Sequence, residues 1–226
     1  MQKEKLKPPF SGAGELLSFT GAEIIKQINK KVLFRSRWKM QEGGEDFLTD
    51  ILNNQEIMDA IHPRALYGYF SANREAGGVL SVNQSIQWKF PLVNGVRLSD
   101  YFRFKRSGED FIPLLAVTVG DEAVKLSKDL YEKYDYAEYF LLYGLVAEMA
   151  ETLAAMVHKR INKELGIRKS LRRSFGYPAC PDLSYQKSLL DLLGADRIGL
   201  RLSEFNQLIP EFSTTAIIIT HPDAKP

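Results

Sequence analysis

The feature that most constrains the fold is a long segment, residues 137–163, that contains no proline and is rich in alanine, leucine, methionine and glutamate. These residues have high helix propensity, so the segment predicts one unbroken helix. Apolar strand patterns lie on both sides of it in the sequence. We therefore expect the helix to pack on one face of a β-sheet.

Short apolar runs bounded by turn residues predict the strands of that sheet. Residues 113–119 form a continuous apolar run of strand length that ends at Gly120. The other predicted strands are residues 65–70, 79–82, 86–90, 198–202 and 215–220. Because the strands come in runs, without regular alternation with helices, the pattern favours an α+β fold with an antiparallel-rich sheet.

Further helices are predicted from their end signals. Thr20 and Glu23 form a capping-box pattern, which starts a helix after Thr20, and Lys30 and Lys31 suit its C-terminus through the helix dipole. Residues 46–61 predict a helix that ends before a proline, and residues 121–134 predict another. Residues 185–193 predict a short amphipathic helix that is stopped by Gly194.

Composition is that of an ordinary globular protein. The 226 residues carry a formal net charge of +2, which disfavours a general nucleic-acid binder. A single cysteine cannot form an internal disulfide, which favours a reduced, cytoplasmic setting. The N-terminus lacks the apolar core of a secretory signal, and we expect no stretch long enough to cross a membrane. We expect one domain over residues 1–226, with residues 1–8 as a loose arm.

The segment RRSFGYPACPD, residues 172–182, carries the most chemical information. Its prolines and glycine disfavour regular structure and leave backbone N–H and C=O groups available to a ligand. Gly176 allows close approach to the backbone, Tyr177 offers an aromatic face to a cation or an adenine, and Arg172 can bind a carboxylate through two hydrogen bonds. These properties match S-adenosylmethionine. On physical grounds alone, however, a loop that packs a tyrosine under the sheet is the better interpretation.

Other candidate residues lie on or near the long helix. Glu151 has no basic residue three or four positions away, so it is either an acceptor for an ammonium group or a solvated carboxylate. His158 fits a helix-surface or partly buried histidine better than a catalyst. Cys180 has no visible activating base, which favours a buried, inert thiol. The three histidines lack metal-ligand spacing, so no metal site is predicted.

The pattern RxxxGYPACPD resembles the S-adenosylmethionine motif of the activation, or reactivation, domain of cobalamin-dependent methionine synthase. Arg172, Gly176 and Tyr177 occupy the positions of RxxxGY. The resemblance implies that Arg172 binds the methionine carboxylate and that Tyr177 and nearby backbone hold the rest of the ligand. It also implies a backbone contact from Ala179 to the adenine and a contact from Glu151 to the α-amino group.

Segments over most of the chain carry the same resemblance. They are YGYFSAN at 67–73, RLSDYF at 97–102, DFIPLLAVTVG at 110–120, the helical segment 153–160, LGADRIGLRLSEFNQLIP at 193–210 and IITHPDAK at 218–225. The fold that the resemblance implies is a C-shaped domain with a twisted antiparallel sheet flanked by helices.

One position departs from the family pattern. An ungapped alignment anchored on Trp38 places Lys30 where the family has an aspartate that helps to bind the amino group. A lysine repels an ammonium group, which predicts weak affinity for S-adenosylmethionine or a requirement for the partner protein.

The function that the resemblance implies is reactivation of methionine synthase. The chain would present S-adenosylmethionine for reductive methylation of inactive cob(II)alamin on a separate cobalamin-binding methionine synthase chain. Flavodoxin or another low-potential protein would donate the electron, and the chain would not turn over alone. Two alternatives stay open. One is a docking module that no longer binds S-adenosylmethionine, which Lys30 favours, and the other is a reactivator of a different corrinoid protein.

Overall fold

The main helices and strands follow the predicted pattern. A computed structural model describes residues 6–224. The helices are α1 (Gly21–Ile25), α2 (Lys30–Val32), α3 (Gly44–Asn53), α4 (Gln55–Ala60), α5 (Asp121–Glu132), α6 (Tyr136–Glu164) and α7 (Tyr185–Leu193). The strands are β1 (Gly12–Ala13), β2 (Leu17–Ser18), β3 (Arg64–Arg74), β4 (Val79–Val82), β5 (Ile86–Lys89), β6 (Asp110–Thr118), β7 (Leu171–Arg173), β8 (Arg201–Leu202), β9 (Leu208–Ile209) and β10 (Ser213–Ile219).

The main sheet is antiparallel, with the strand order β5-β4-β3-β6-β10-β7. At its centre, β3 and β6 pair from Arg64 opposite Thr118 to Ala72 opposite Asp110. The N-terminal strands β1 and β2 also pair with β3, and β8 and β9 form a separate two-stranded ribbon. The predicted α+β class with an antiparallel sheet is confirmed.

Both faces of the sheet are buried, which explains the continuous apolar run in β6. Leu115 and Val117 pack in one cluster with α6, whereas Leu114 and Ala116 pack in a second cluster with α7. Since successive side chains of a strand point to opposite faces, a strand covered on both sides needs an apolar residue at every position. All nine positions of β6 are accordingly buried.

The long helix α6 is confirmed, and it corrects one expectation. Asp135 caps it, because its Oδ1 accepts a hydrogen bond from the Glu138 N–H at 3.2 Å. By length and composition α6 is apolar enough to cross a membrane, contrary to the expectation that no stretch would be. Of its most apolar window, 61% is buried inside the protein, as in the core helix of a globular fold.

Several predicted boundaries were wrong. The first helix ends at Ile25, so Lys30 and Lys31 begin α2 after the cap Asn29 instead of ending α1. The helix predicted over 46–61 is divided at Asn54, whose side chain caps α4 by accepting from the Ile57 N–H at 3.2 Å. The strand predicted over 198–202 is reduced to β8, because a 3-10 turn occupies residues 195–198.

The arm predicted over residues 1–8 lies mostly outside the described residues. Of its described part, Leu6 is half-buried and packs against the cluster that contains α6.

Candidate functional site

The site forms where the edge strand β7 ends. β7 pairs with β10 at residues 217–219 and stops at Arg173, so it does not extend along residues 213–215 of β10. A cleft of about 600 Å³ lies beside that uncovered edge. This volume is within the range of small-molecule sites, roughly 300–1,000 Å³.

Several parts of the chain enclose the cleft. The loop after β7 forms one wall with Tyr177, and the β8–β9 ribbon faces it with Gln207. The exposed edge of β10 contributes Thr215. Two carboxylates, Glu151 from α6 and Glu211 from the turn before β10, add negative charge. Polar groups therefore converge on a surface that also has an aromatic ring.

Arg172 and Glu151 meet in an ion pair beside the cleft. The Arg172 Nη2 atom donates to Glu151 Oε2 at 2.5 Å. Arg172 lies opposite Ile218, which belongs to the α6 cluster, whereas Arg173 lies opposite Ile217, in the α7 cluster. Since adjacent strand residues point to opposite faces, only Arg172 is directed toward α6. Glu151 thus has a basic partner, but one twenty-one positions away that a search along the helix does not find.

The free η nitrogen of Arg172 is a further feature of this pair. Nη1 is buried and has no hydrogen-bond partner among the described groups. A buried polar atom without a partner costs about 1–3 kcal/mol, so such an atom commonly marks a position that a ligand or water satisfies. Glu151 lines the cleft directly, while Arg172 lies behind it and is about three-quarters buried.

The loop after β7 is anchored by two buried side chains and presents a third to solvent. Phe175 and Cys180 are buried, with Phe175 packed edge-on against Trp88 at 5.9 Å. The Cys180 N–H donates to the Tyr177 carbonyl at 2.8 Å, which closes a turn with Pro178 at its second position. Tyr177 remains 64% exposed at the cleft wall. The interpretation of a tyrosine packed under the sheet is therefore wrong.

Gly176 has a backbone conformation that other residues adopt only with strain. Its φ is +86°, and a Cβ atom built there would lie 3.3 Å from Leu183 Cδ2. Its N–H donates to the Cys180 carbonyl at 2.9 Å, so Gly176 shapes the turn that presents Tyr177. Ala179 is half-buried against the α7 cluster.

Of the remaining candidates, Cys180 is buried and His158 is half-buried, and neither lines the cleft. Burial raises the pKa of the Cys180 thiol to about 12, with a smaller contribution from Asp182, so the thiol is protonated and inert. Burial and the positive charge of Arg172 lower the pKa of His158, which is hydrogen-bonded to Ser170 Oγ at 2.6 Å. Within residues 6–224 no group of three or more potential ligands could hold a metal ion.

Among the described residues that line the cleft, Lys30 is absent. It lies at the start of α2, and its Nζ atom is 2.7 Å from Glu45 Oε2 in an exposed ion pair. The alignment placed the positive charge of Lys30 near the ligand's amino group. In the structure this charge is partly offset by Glu45.

Sequence reasoning did not find Gln186, Glu211 or the turn of the β8–β9 ribbon. Gln186 is buried, donates from Nε2 to the Asn206 carbonyl at 2.8 Å and accepts from Thr215 Oγ1 at 2.7 Å. It therefore ties the ribbon to β10 across one end of the cleft. A buried glutamine on an amphipathic helix is the signal that could have drawn attention to it.

A somewhat larger cavity, about 680 Å³, lies between the N-terminal strands and the end of α6. Two of its charged residues, Arg160 and Glu164, are hydrogen-bonded to each other at 2.9 Å, and both contact the Tyr67 hydroxyl. Because their polar atoms already have partners, and because the predicted ligand residues lie elsewhere, the cleft at Tyr177 is the better candidate.

Comparison with known proteins identifies the family of the chain. The family model for the activation domain of vitamin B12 dependent methionine synthase matches residues 23–226. The chain belongs to this family. It is 27% identical to the methionine synthases of Mycobacterium tuberculosis and Mycobacterium leprae over 96% of its own length. It spans 23% and 22% of those two proteins.

A solved structure shows the same fold. The crystal structure of the MetH reactivation domain bound to AdoHcy superimposes with a TM-score of 0.84, over 98% of this chain and 82% of that one, at 20% identity. The chain is therefore an activation domain of the methionine synthase type in both sequence family and fold.

Proposed function

We propose that the chain binds S-adenosylmethionine in the cleft and presents its methyl group to cobalamin on a separate cobalamin-binding methionine synthase chain. The observation that carries this proposal is the Arg172–Glu151 pair beside the Tyr177 loop. The chain belongs to the activation-domain family, and the resemblance assigned Arg172, Glu151 and Tyr177 to the same ligand. The AdoHcy in the similar structure gives further support for an adenosyl amino acid ligand.

The pair complements the amino acid end of that ligand. A methionine moiety has a carboxylate and an ammonium group on one carbon, so its receptor needs a guanidinium next to a carboxylate. On this proposal ligand binding shifts the Arg172 side chain from its place behind Glu151, so that Nη1, now buried and without a partner, takes the ligand carboxylate. Glu151, 43% exposed, accepts from the ammonium. Tyr177 covers the sulfonium or the adenine with its exposed ring.

The chain's contribution to the chemistry is positioning. The electron donor would reduce the cobalamin on the partner by one electron. The S–CH3 bond of S-adenosylmethionine would then break, with the methyl group passing to the reduced cobalamin and S-adenosylhomocysteine leaving the cleft. Residues of this chain fix the ligand's orientation, which raises the rate by placing the reacting groups in contact. No proton transfer is required of them, which agrees with the high pKa of the buried Cys180 thiol.

The partner and the setting are part of the same proposal. A cobalamin-binding methionine synthase chain is the partner, flavodoxin or another low-potential protein donates the electron, and the reaction takes place in the cytoplasm. On this proposal the isolated chain does not make methionine from homocysteine. Its one cysteine cannot build the zinc-thiolate site that such an activity needs.

The proposal is tested by adding the purified chain to a cobalamin-bearing methionine synthase that lacks its own activation domain. The cobalamin is first oxidised to cob(II)alamin, and then S-adenosylmethionine and a reductant are supplied. We expect loss of the cob(II)alamin absorption and return of methionine synthesis. No recovery with the chain present, under conditions in which an authentic activation domain restores activity, would contradict the proposal.

A docking module without ligand binding is the second candidate. It is favoured by the ion pair itself, because Arg172 and Glu151 neutralise each other when no ligand is present. Calorimetry with S-adenosylmethionine separates the two candidates. Saturable binding supports presentation of the ligand, whereas capture of the partner without ligand binding supports docking alone.

A further inference from the structure

A further cavity, lined by aromatic rings, lies beside the junction of α5 and α6. It has a volume of about 380 Å³. Its aromatic lining residues are Tyr131, Tyr139, Tyr143 and Phe212. Of the described residues, only Glu211 lines both this cavity and the cleft at Tyr177.

Neighbouring rings pack edge-to-face or tilted against one another. Tyr131 and Tyr139 are 5.3 Å apart between ring centroids with 67° between their planes. Tyr139 and Tyr143 are 5.7 Å apart at 50°, and Tyr143 and Phe212 are 5.1 Å apart at 76°. A parallel stack covers one face of each ring, whereas an edge-to-face pair covers a face of only one ring, so these pairs leave more of the ring faces uncovered. The faces carry the negative part of the ring quadrupole.

The charges around the cavity favour a cation. Glu211 and Glu132 line it, and the Tyr143 hydroxyl donates to Glu211 Oε1 at 2.6 Å. Lys128 is the opposing charge in the lining. The other nearby cation, Arg37, is bound to Glu148 with 3.1 Å between Nε and Oε2. Two carboxylates therefore face one free ammonium group among the lining residues.

We propose that this cavity binds a small organic cation of the methylated-ammonium class. Such ions are recognised by aromatic faces set around them, with a carboxylate nearby, and their methyl groups lose little hydration on entry. An anion would meet two carboxylates, and a neutral ligand of the same shape would gain nothing from the ring quadrupoles. The inference does not depend on what the cleft binds.

The test compares choline with its neutral isostere 3,3-dimethyl-1-butanol. The N-methyl proton signal of choline is followed by NMR as the intact chain is added, because aromatic rings shift it upfield. We expect saturable binding of choline that is roughly tenfold tighter than that of the alcohol. Equal binding of the two probes, or no saturable shift with choline, would overturn the proposal.

Four variants locate the binding. Tyr139→Leu should weaken choline binding roughly tenfold, and Glu211→Gln should weaken it several-fold. Lys128→Ala should tighten it, because a repulsive charge is removed. The matched control is Tyr134→Leu, since Tyr134 is 78% exposed on the same helix junction and does not line the cavity. If Tyr139→Leu fails to fold, the proposal is tested by the changes in choline affinity of the other two variants, which should be opposite: weaker for Glu211→Gln and tighter for Lys128→Ala. The same sign for both would refute a cation site.

Discussion

At the scale of single residues, strand alternation decides which of two adjacent arginine side chains points toward Glu151 at the cleft. Arg172 and Arg173 are identical in charge and neighbours in sequence, yet they point to opposite faces of β7. Arg172 meets Glu151 on α6, and its Nη1 atom has no partner. The RxxxGY spacing selected Arg172, and the backbone geometry gives that selection a physical reason.

We expect Arg172→Ala to weaken S-adenosylmethionine binding at least tenfold. A hydrogen bond to a charged group contributes about 1.5–3 kcal/mol, and this one lies in a partly buried position. Arg173→Ala should weaken it by less than about fivefold, because an arginine outside the site contributes about 0–1 kcal/mol. Calorimetry on both variants, with circular dichroism to verify folding, makes the comparison. Equal losses would show that Arg172 does not contact the ligand.

The residues of the site could be predicted only where local sequence determines them. The Gly176 turn follows from the Pro/Gly pattern, whereas the exposed ring of Tyr177 agrees only with the resemblance, because the pattern alone favoured a buried tyrosine. Burial of Cys180 was also predicted and is confirmed. The partner of Glu151 could not be predicted, because it comes from a strand too short to give a periodic signal. Lys30 was placed by alignment alone, and its contact with Glu45 depends on how α2 and α3 pack.

At the scale of elements, the β8–β9 ribbon depends on one buried side chain for its position. Each strand has only two residues, so its own ladder is weak. Gln186 on α7 uses both ends of its amide, one on the Asn206 carbonyl and the other on the Thr215 hydroxyl. Such short strands escape sequence prediction because two residues give no alternation, whereas α6, α7 and β6 were long or apolar enough to be found.

We expect Gln186→Leu to lower the free energy of unfolding by about 1–3 kcal/mol, since it leaves a buried carbonyl and a buried hydroxyl without a partner. It should also weaken ligand binding, because the ribbon wall of the cleft is released from β10. Urea unfolding and calorimetry measure the two effects. Lys187→Leu is the matched control, because the neighbouring Lys187 is exposed and pairs with Asp191 at the surface. An effect on binding as large in the control would mean that the ribbon is held by other contacts.

The contact between α6 and the turn before β7 should respond to pH through His158. Ser170 Oγ donates to Asn162 Oδ1, so His158 Nε2 donates to Ser170. Burial and Arg172 lower its pKa below 6.5, so the unfolded chain takes up a proton first as the pH falls. The stability contribution is present above about pH 6.5 and is lost as the pH falls toward the folded pKa.

His158→Gln is therefore expected to flatten the fall in stability as the pH drops below about 6.5. Urea unfolding at a series of pH values measures this for both proteins. Glutamine retains an amide donor for Ser170 but cannot titrate, so the variant isolates the ionisation. If the wild type and the variant lose stability in parallel over this range, His158 is not the group responsible.

At the scale of the whole molecule, the cleft lies where the edge strand β7 ends, between the two core clusters that cover opposite faces of the sheet. One cluster joins α6 to one face of the sheet, and the other joins α7 and the motif loop to the opposite face. Glu151 comes from the first layer, and Tyr177 comes from the loop over the second. The fold class and the two-sided burial of β6 could be predicted from composition and apolar runs. The order of strands could not, because β7 and β10 are distant from β3 and β6 in sequence and pair through tertiary contacts.

We expect Leu114→Ala and Leu115→Ala each to lower the free energy of unfolding by about 2–5 kcal/mol, because both side chains are fully buried, one in each cluster. An antiparallel sheet with one wet face would give a large loss for one and a small loss for the other. Leu92→Ala is the control, since Leu92 is 56% exposed and should change stability by no more than about 0.5 kcal/mol. Urea unfolding of the three variants makes the measurement. A near-neutral result for either core leucine would show that its face of the sheet is not packed. The core cluster on that face could then not be what supports its side of the cleft.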